Sequence, residues 1–211
     1  MASRSYALER GGPKVLRLTW RRGLRDFEVA FGERLLKLDP AAVRAGTSAT
    51  LPDGSALHVR YARRSFWSIA FRDDLHVERD GVPVPGSDGD PRVIGRRAAR
   101  VMAFFGLLRV AFLLLFHLFS RQPGTPGPVQ VLVLSGLALL VLAVLAAYGL
   151  RLAVALGAGL VGLEVVVAVA AGVGATPVAL LIQILLVAHL ASAWRRMRPR
   201  APRPALGQVF G

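Results

Sequence analysis

Four long apolar runs fill residues 101–194, and they constrain this chain more than any other feature. A helix needs about 20 residues to cross roughly 30 Å of hydrocarbon. The first run, "VMAFFGLLRVAFLLLFHLFS", covers 101–120, and three more follow at about 129–147, 152–172 and 177–194. Soluble proteins rarely string four such runs together, so the expectation is four transmembrane helices. Each break has a chemical cause. The "PGTPGP" stretch cannot stay helical, because proline lacks an amide donor and restricts the residue before it. "YGLR" places an interfacial aromatic, a helix-ending glycine and a charge together, and "GVGATP" turns the chain again. Connections this short make successive helices antiparallel, which predicts an up-down bundle.

Residues 14–91 read differently. Leu16, Leu18 and Trp20 alternate with Arg17, Thr19 and Arg21, and Phe27, Val29 and Phe31 alternate with Asp26, Glu28 and Ala30. Leu57, Val59 and Tyr61 make a third row, Trp67, Ile69 and Phe71 a fourth, and Leu75 and Val77 a fifth. Period-two patterning marks half-buried strands. "RRG", "PDG" and "RDG" supply hairpin turns, and "LDPAAVRAG" predicts one short helical turn capped by Asp39 with Pro40 next. The expected fold is therefore α+β in two separate parts: a small antiparallel β-sandwich or open barrel of six to eight strands, then a four-helix up-down transmembrane bundle. Residues 1–13 read as a flexible N-terminus, 92–100 as a basic linker and 195–211 as a basic disordered tail.

Charge sets the expected orientation. The net charge is +14, and residues 93–211 hold 11 basic side chains against one acid. Arg92, Arg96, Arg97 and Arg100 precede the first run, Arg151 lies in the second connection, and Arg195, Arg196, Arg198, Arg200 and Arg203 follow the last. The other side holds only Arg121. Basic residues flank cytoplasmic ends, so both termini and the first domain are expected in the cytoplasm. "MASRSYALERGGPKV" has no continuous apolar stretch to act as an export signal, in keeping with that placement. Arg outnumbers Lys 25 to 2 beside abundant Ala, Gly and Val, a composition that suggests a GC-rich bacterial genome and hence the inner membrane. The basic tail is a topological anchor or a grip on anionic lipid headgroups, the former being favoured. Nucleic acid is not an expected partner, since no recognition motif accompanies the charge.

The one acid is Glu164, near the middle of the third run. At about 1.5 Å of rise per residue, Glu164 and Gln183 both lie roughly 16–18 Å from the cytoplasmic ends, and Arg109 roughly 8–10 Å. A bare carboxylate there costs about 2.5–3.5 kcal/mol. Protonation with a hydrogen bond to Gln183 would relieve this, as would pairing with Arg109. The first is favoured because side chains lean toward a helix N-terminus and Arg109 would snorkel away from the midplane. Glu164, Gln183 and Arg109 thus form the candidate intramembrane polar cluster, read as a helix clasp, with a proton or ion site as the alternative. Gly157, Glu164, Ala168 and Ala171 share its face.

No Cys is present, and no catalytic triad, phosphate loop or HExxH occurs. "SDGDP" at 87–91 resembles part of a calcium loop but lacks its spacing and distal Glu, so it reads as a linker. His117 and His189 differ too much in depth to share a metal. No enzyme activity, metal or cofactor is expected. The pattern "LPDGSALHVRY … LHVERDGVPVPGSDGDPR" followed by apolar helices resembles uncharacterised bacterial membrane proteins with a small N-terminal β-domain. That resemblance implies an architecture and carries no functional residues. The expected function is a non-enzymatic, membrane-tethered binding or scaffolding module acting on the cytoplasmic side, with the bilayer, a cytoplasmic protein and further copies of itself as partners. The alternative is a small transporter or channel component using Glu164.

Overall fold

The computed structural model describes residues 1–21, 25–62, 74–119, 127–170 and 177–197. The chain forms two compact units, Met1–Val93 and Ile94–Arg198.

The first unit holds two four-stranded antiparallel sheets, each a simple meander. One has the order β1 (Ala2–Tyr6), β2 (Leu16–Arg21), β3 (Arg25–Phe31), β4 (Arg34–Leu38). The other has the order β5 (Thr47–Thr50), β6 (Ala56–Ala62), β7 (Asp74–Arg79), β8 (Val82–Pro83). The inward positions read from the alternation are buried: Leu16, Leu18, Trp20, Phe27 and Val29 from one sheet, Leu57, Val59, Leu75 and Val77 from the other. They form one core, joined by Val43 of a short helix, α1 (Pro40–Ala45). That helix starts as its sequence dictates, with Asp39 accepting a hydrogen bond from the Ala41 amide (3.1 Å) and Pro40 in the first turn. Asp80 and Gly81 both have positive φ, the geometry of the tight turn joining β7 to β8. The row at Trp67, Ile69 and Phe71 and the "RRG" turn beyond Arg21 lie outside the described residues.

The fold overturns three expectations. Residues 2–6, expected within a flexible terminus, are β1, paired with β2 from Ala2↔Trp20 to Tyr6↔Leu16. This register turns Arg4 to the same side as Leu18, where its guanidinium donates to Asp88 Oδ2 (2.6 Å) and lies 5.9 Å from the Trp20 ring centroid. Burial alone would lower the Arg4 pKa. The hydrogen bond to Asp88, with Tyr6 next, outweighs it and holds the guanidinium above its ordinary value.

The second change concerns "SDGDP", which is a buried polar knot rather than a linker. Asp88 Oδ2 also accepts from the Leu75 amide (2.7 Å), tying β7 to β1. Ser87 donates its hydroxyl to the Val77 carbonyl (3.3 Å). Asp90 accepts from the Gly86 and Arg92 amides, both at 2.9 Å, and so caps the helix that follows, with Pro91 at its first position. That helix, α2 (Pro91–Phe119), absorbs residues 92–100, which were expected to be a linker.

The second unit continues with α3 (Gly127–Ala147), α4 (Arg151–Ala170) and α5 (Pro177–Arg196). Ala98 and Met102 of α2, Leu139 and Ala143 of α3, Val154 and Val161 of α4, and Leu186 and Leu190 of α5 make one core. Among the described residues, two helices, α4 and α5, are long and apolar enough to cross a membrane by length and composition, and α3 contains a shorter apolar stretch, Val133–Ala147. The tail at 198–211 and the connections at 120–126 and 171–176 lie outside the described residues.

Asp88→Ala removes acceptors from both Arg4 and Leu75 and is expected to destabilise the first unit by about 2–3 kcal/mol. Hydrogen exchange on the full chain should quicken at Ala2–Tyr6 and Leu75 while α4 stays protected.

Candidate functional site

The polar centre of the second unit follows from how closely its helices approach. A Cβ placed on Gly106 would lie 2.8 Å from the Gly136 carbonyl oxygen, and one on Gly136 would lie 2.9 Å from Arg109 Cβ. Only glycine permits α2 and α3 to meet so tightly. Arg109 sits three residues beyond Gly106, on the same face, beside Gly136 and its neighbour Ser135.

The packing of α2 on α4 supplies the acid. Gly95 faces Gly149, just ahead of α4, and Met102 Sδ fills the space where Gly157 lacks a side chain. Seven residues further along each helix, Arg109 meets Glu164. The residue difference stays near 55 at all three contacts, so α2 and α4 run parallel, two turns per step. Gly95 also faces the Ala146 carbonyl, ten residues after Gly136 in α3 although Gly95 precedes Gly106 in α2, so α3 runs antiparallel to α2.

At the centre, Arg109 Nη1 donates to Glu164 Oε1 (2.8 Å) and to Ser135 Oγ (2.9 Å), while Nη2 donates to Glu164 Oε2 (2.5 Å). This is a fork-to-fork guanidinium–carboxylate pair, the strongest geometry available to those groups. Arg109 and Ser135 are buried, and the Glu164 side chain keeps 18% of its surface exposed.

The sequence favoured Gln183 as the partner of Glu164, and the structure selects Arg109 instead. The register explains why: the contacts of Gly95 with Gly149 and of Met102 with Gly157 set Arg109 level with Glu164, so the depth difference expected from a span starting at 101 disappears. Nothing local in the sequence marks Ser135 as the third member. Gln183 is not part of the hydrogen-bonded group. Contacts between α4 and α5 at Arg151 with Trp194, Gly157 with Leu190 and Gly162 with Val187 set an antiparallel register that brings Gln183 level with Glu164. Its Oε1 is nevertheless buried without a hydrogen-bond partner.

Of the shared small-residue face, Gly157 packs on Met102 and Ala168 is half-buried, while Ala171 lies outside the described residues. Of the flanking arginines, Arg96, Arg100, Arg195 and Arg196 are exposed, Arg97 is half-buried, and Arg198 lies outside the described residues. Among the described residues, no group of three His, Asp or Glu side chains is placed to hold a metal ion. No protein family model, curated protein or solved structure matches the chain.

Such a pair holds three helices at one level and leaves neither charge unmatched. Glu164→Gln strands Arg109 in an apolar surround and is expected to cost roughly 3–5 kcal/mol. The double replacement Arg109→Met with Glu164→Leu removes both charges and should unfold within about 1 kcal/mol of the wild type. Denaturation in detergent micelles measures both, and equal losses in the single and double variants would show that the pair is not coupled.

Proposed function

We propose that this chain is a multi-pass protein of the bacterial inner membrane, in which α2 to α5 form a four-helix up-down transmembrane bundle. In this reading the β unit is a cytoplasmic, non-enzymatic binding or scaffolding module. Support for the membrane comes from the outward faces of the helices. Phe104, Leu108 and Phe112 of α2, Leu134 and Val141 of α3, and Leu163 and Val166 of α4 are all exposed. Only 22% and 17% of the apolar windows of α4 and α5 are buried, whereas a helix in a soluble core would be mostly covered. An apolar surface this extensive is stable against lipid and not against water.

The observation that carries the functional reading is the Arg109–Glu164 fork. Both carboxylate oxygens are engaged by one guanidinium, which makes the site a closed contact between helices and the bundle an anchor. Binding then falls to the β unit. Its open edge at β4 exposes Leu35 and Leu36 between Arg34 and Lys37, which suits an extended segment carrying apolar and acidic side chains. The transporter reading keeps one favourable observation, the buried unpartnered oxygen of Gln183 at the level of Glu164. There Glu164→Gln would abolish a proton-dependent phenotype while sparing assembly.

The absence of Cys makes a labelling test clean. In intact cells, a maleimide that passes the outer but not the inner membrane should label Thr125→Cys, in the α2–α3 connection, and should leave Ser5→Cys on β1 unlabelled until the inner membrane is opened. The reverse pattern would overturn the topology. Leu35→Lys with Leu36→Glu should abolish capture of a cytoplasmic partner by the full chain without changing membrane insertion.

A further inference from the structure

The end of the second unit where α2 begins, α3 ends, α4 begins and α5 ends is rich in arginine and poor in acid. Arg96, Arg97, Arg100, Arg151, Arg195 and Arg196 all belong to these helix ends. The one carboxylate in residues 93–211 is Glu164. It lies 13 residues beyond Arg151, roughly 20 Å along α4, and is taken by Arg109. Neutralising charge must therefore come from outside this part of the chain.

Arg151 is held by an aromatic ring. The Arg151 guanidinium lies over the Trp194 ring, with Cζ 5.1 Å from the centroid, so α5 fixes its position. Its Nε is buried with no acceptor, and no hydrogen bond or ion pair engages it among the described residues. A guanidinium that is oriented by an aromatic platform and given no oxygen to bind is prepared for a planar, two-oxygen acceptor. The residue after it opens an apolar track. Leu152, Leu156 and Leu163 are exposed along one side of α4, and Gly159 between them has open space where a side chain would stand. That spacing of four, three and four residues is a continuous stripe along the helix.

Resting on the membrane reading above, we infer that Arg151 and Trp194 form a binding site for the phosphate of an anionic phospholipid, whose acyl chain lies along Leu152, Leu156, Gly159 and Leu163. The phosphodiester supplies the oxygens that the guanidinium lacks. Neighbouring arginines strengthen the local field without fixing the headgroup. The apolar track is what separates a lipid from a free phosphate ion, because only the lipid gains by covering it.

The test uses the full chain in neutral detergent micelles, doped with phosphatidylglycerol, with phosphatidylcholine, or with inorganic phosphate, and reads the thermal midpoint and the lipid retained after gel filtration. Phosphatidylglycerol should raise the midpoint and be retained, and the other two should do neither. A basic residue that acts only through the field changes affinity about fivefold. Arg96→Gln is expected to stay within that range, while Arg151→Gln should weaken phosphatidylglycerol binding by more than about twentyfold. Arg151→Lys keeps the charge and the fold but lacks the planar fork, and should lose most of the same affinity. Equal losses in Arg151→Gln and Arg96→Gln, or full retention in Arg151→Lys, would overturn the site. Stabilisation by inorganic phosphate equal to that by phosphatidylglycerol would overturn the lipid as its occupant. A wild-type chain that fails to sediment with membranes would instead remove the membrane reading beneath it.

Discussion

The parallel packing of α2 on α4 sets the geometry of the whole second unit. It steps by seven residues along α2, from Gly95 beside Gly149, through Met102 against Gly157, to Arg109 against Glu164, and by eight and then seven along the facing segment. Each step is two helical turns, so the contact stays on one face of each helix. Size is matched at the first two steps and charge at the third. Where the large Met102 side chain enters, the opposing residue is glycine, and where a cation enters, the opposing residue is the single acid. The antiparallel α3 fits between them only because Gly106 and Gly136 let its backbone come close, and that approach delivers Ser135 to the guanidinium. A one-residue slip between α2 and α4 would put Arg109 opposite an aliphatic side chain and leave two charges in apolar surroundings. A buried ion pair adds little net stability, but it makes wrong registers expensive. Its role here is the same one that a buried polar residue plays in fixing the register of a coiled coil.

The β unit uses the same device on a smaller scale. Its core is aliphatic and aromatic, contributed by two sheets and Val43. The exception is Arg4, which β-pairing turns inward and which is matched by Asp88 from a residue 84 positions away. Asp88 also holds the Leu75 amide, so the first strand and the seventh are fastened by one carboxylate. Two residues on, Asp90 turns from closing the knot to starting α2. The short stretch "SDGDP" therefore completes one unit and opens the next helix, with each acid accepting from two donors.

Much of this was legible in the sequence. Alternation located the inward rows of β2, β3, β6 and β7, and the Asp39–Pro40 pair located α1. The strands that escaped lack the signal. Around β1, the inward positions are Ala2, Arg4 and Tyr6, and an inward arginine has no local mark when its partner lies at the far end of the domain. In β4, Leu35 and Leu36 are adjacent, which breaks the alternation, because an edge strand leaves its outer side chain uncovered. The early start of α2 was available: Asp90–Pro91 repeats the Asp39–Pro40 cap, but the cluster of arginines behind it suggested a linker at a membrane surface. For the polar centre, depth alone set Glu164 level with Gln183, and the contacts of α5 keep that level. What depth misplaced was Arg109, because α2 starts at Pro91 and packs on α4 in a register that sets Arg109 level with Glu164.

Charge accounting separates the two ends of the second unit. At its centre the single carboxylate is consumed by a single guanidinium, and the site is electrically closed. At the end holding Arg151 and Trp194, several cations share no carboxylate within residues 93–211. Repulsion among them opposes bringing the helix ends together, yet the ends lie so close that a Cβ on Gly95 would meet Ala146, Gly149 and Met197. An anion from outside residues 93–211 would offset that repulsion. Under the proposed topology a bilayer surface would carry phosphates at the depth of these arginines and would also cover the exposed leucines and valines. In that proposal lipid would supply at one end the counter-charge that Glu164 supplies at the centre.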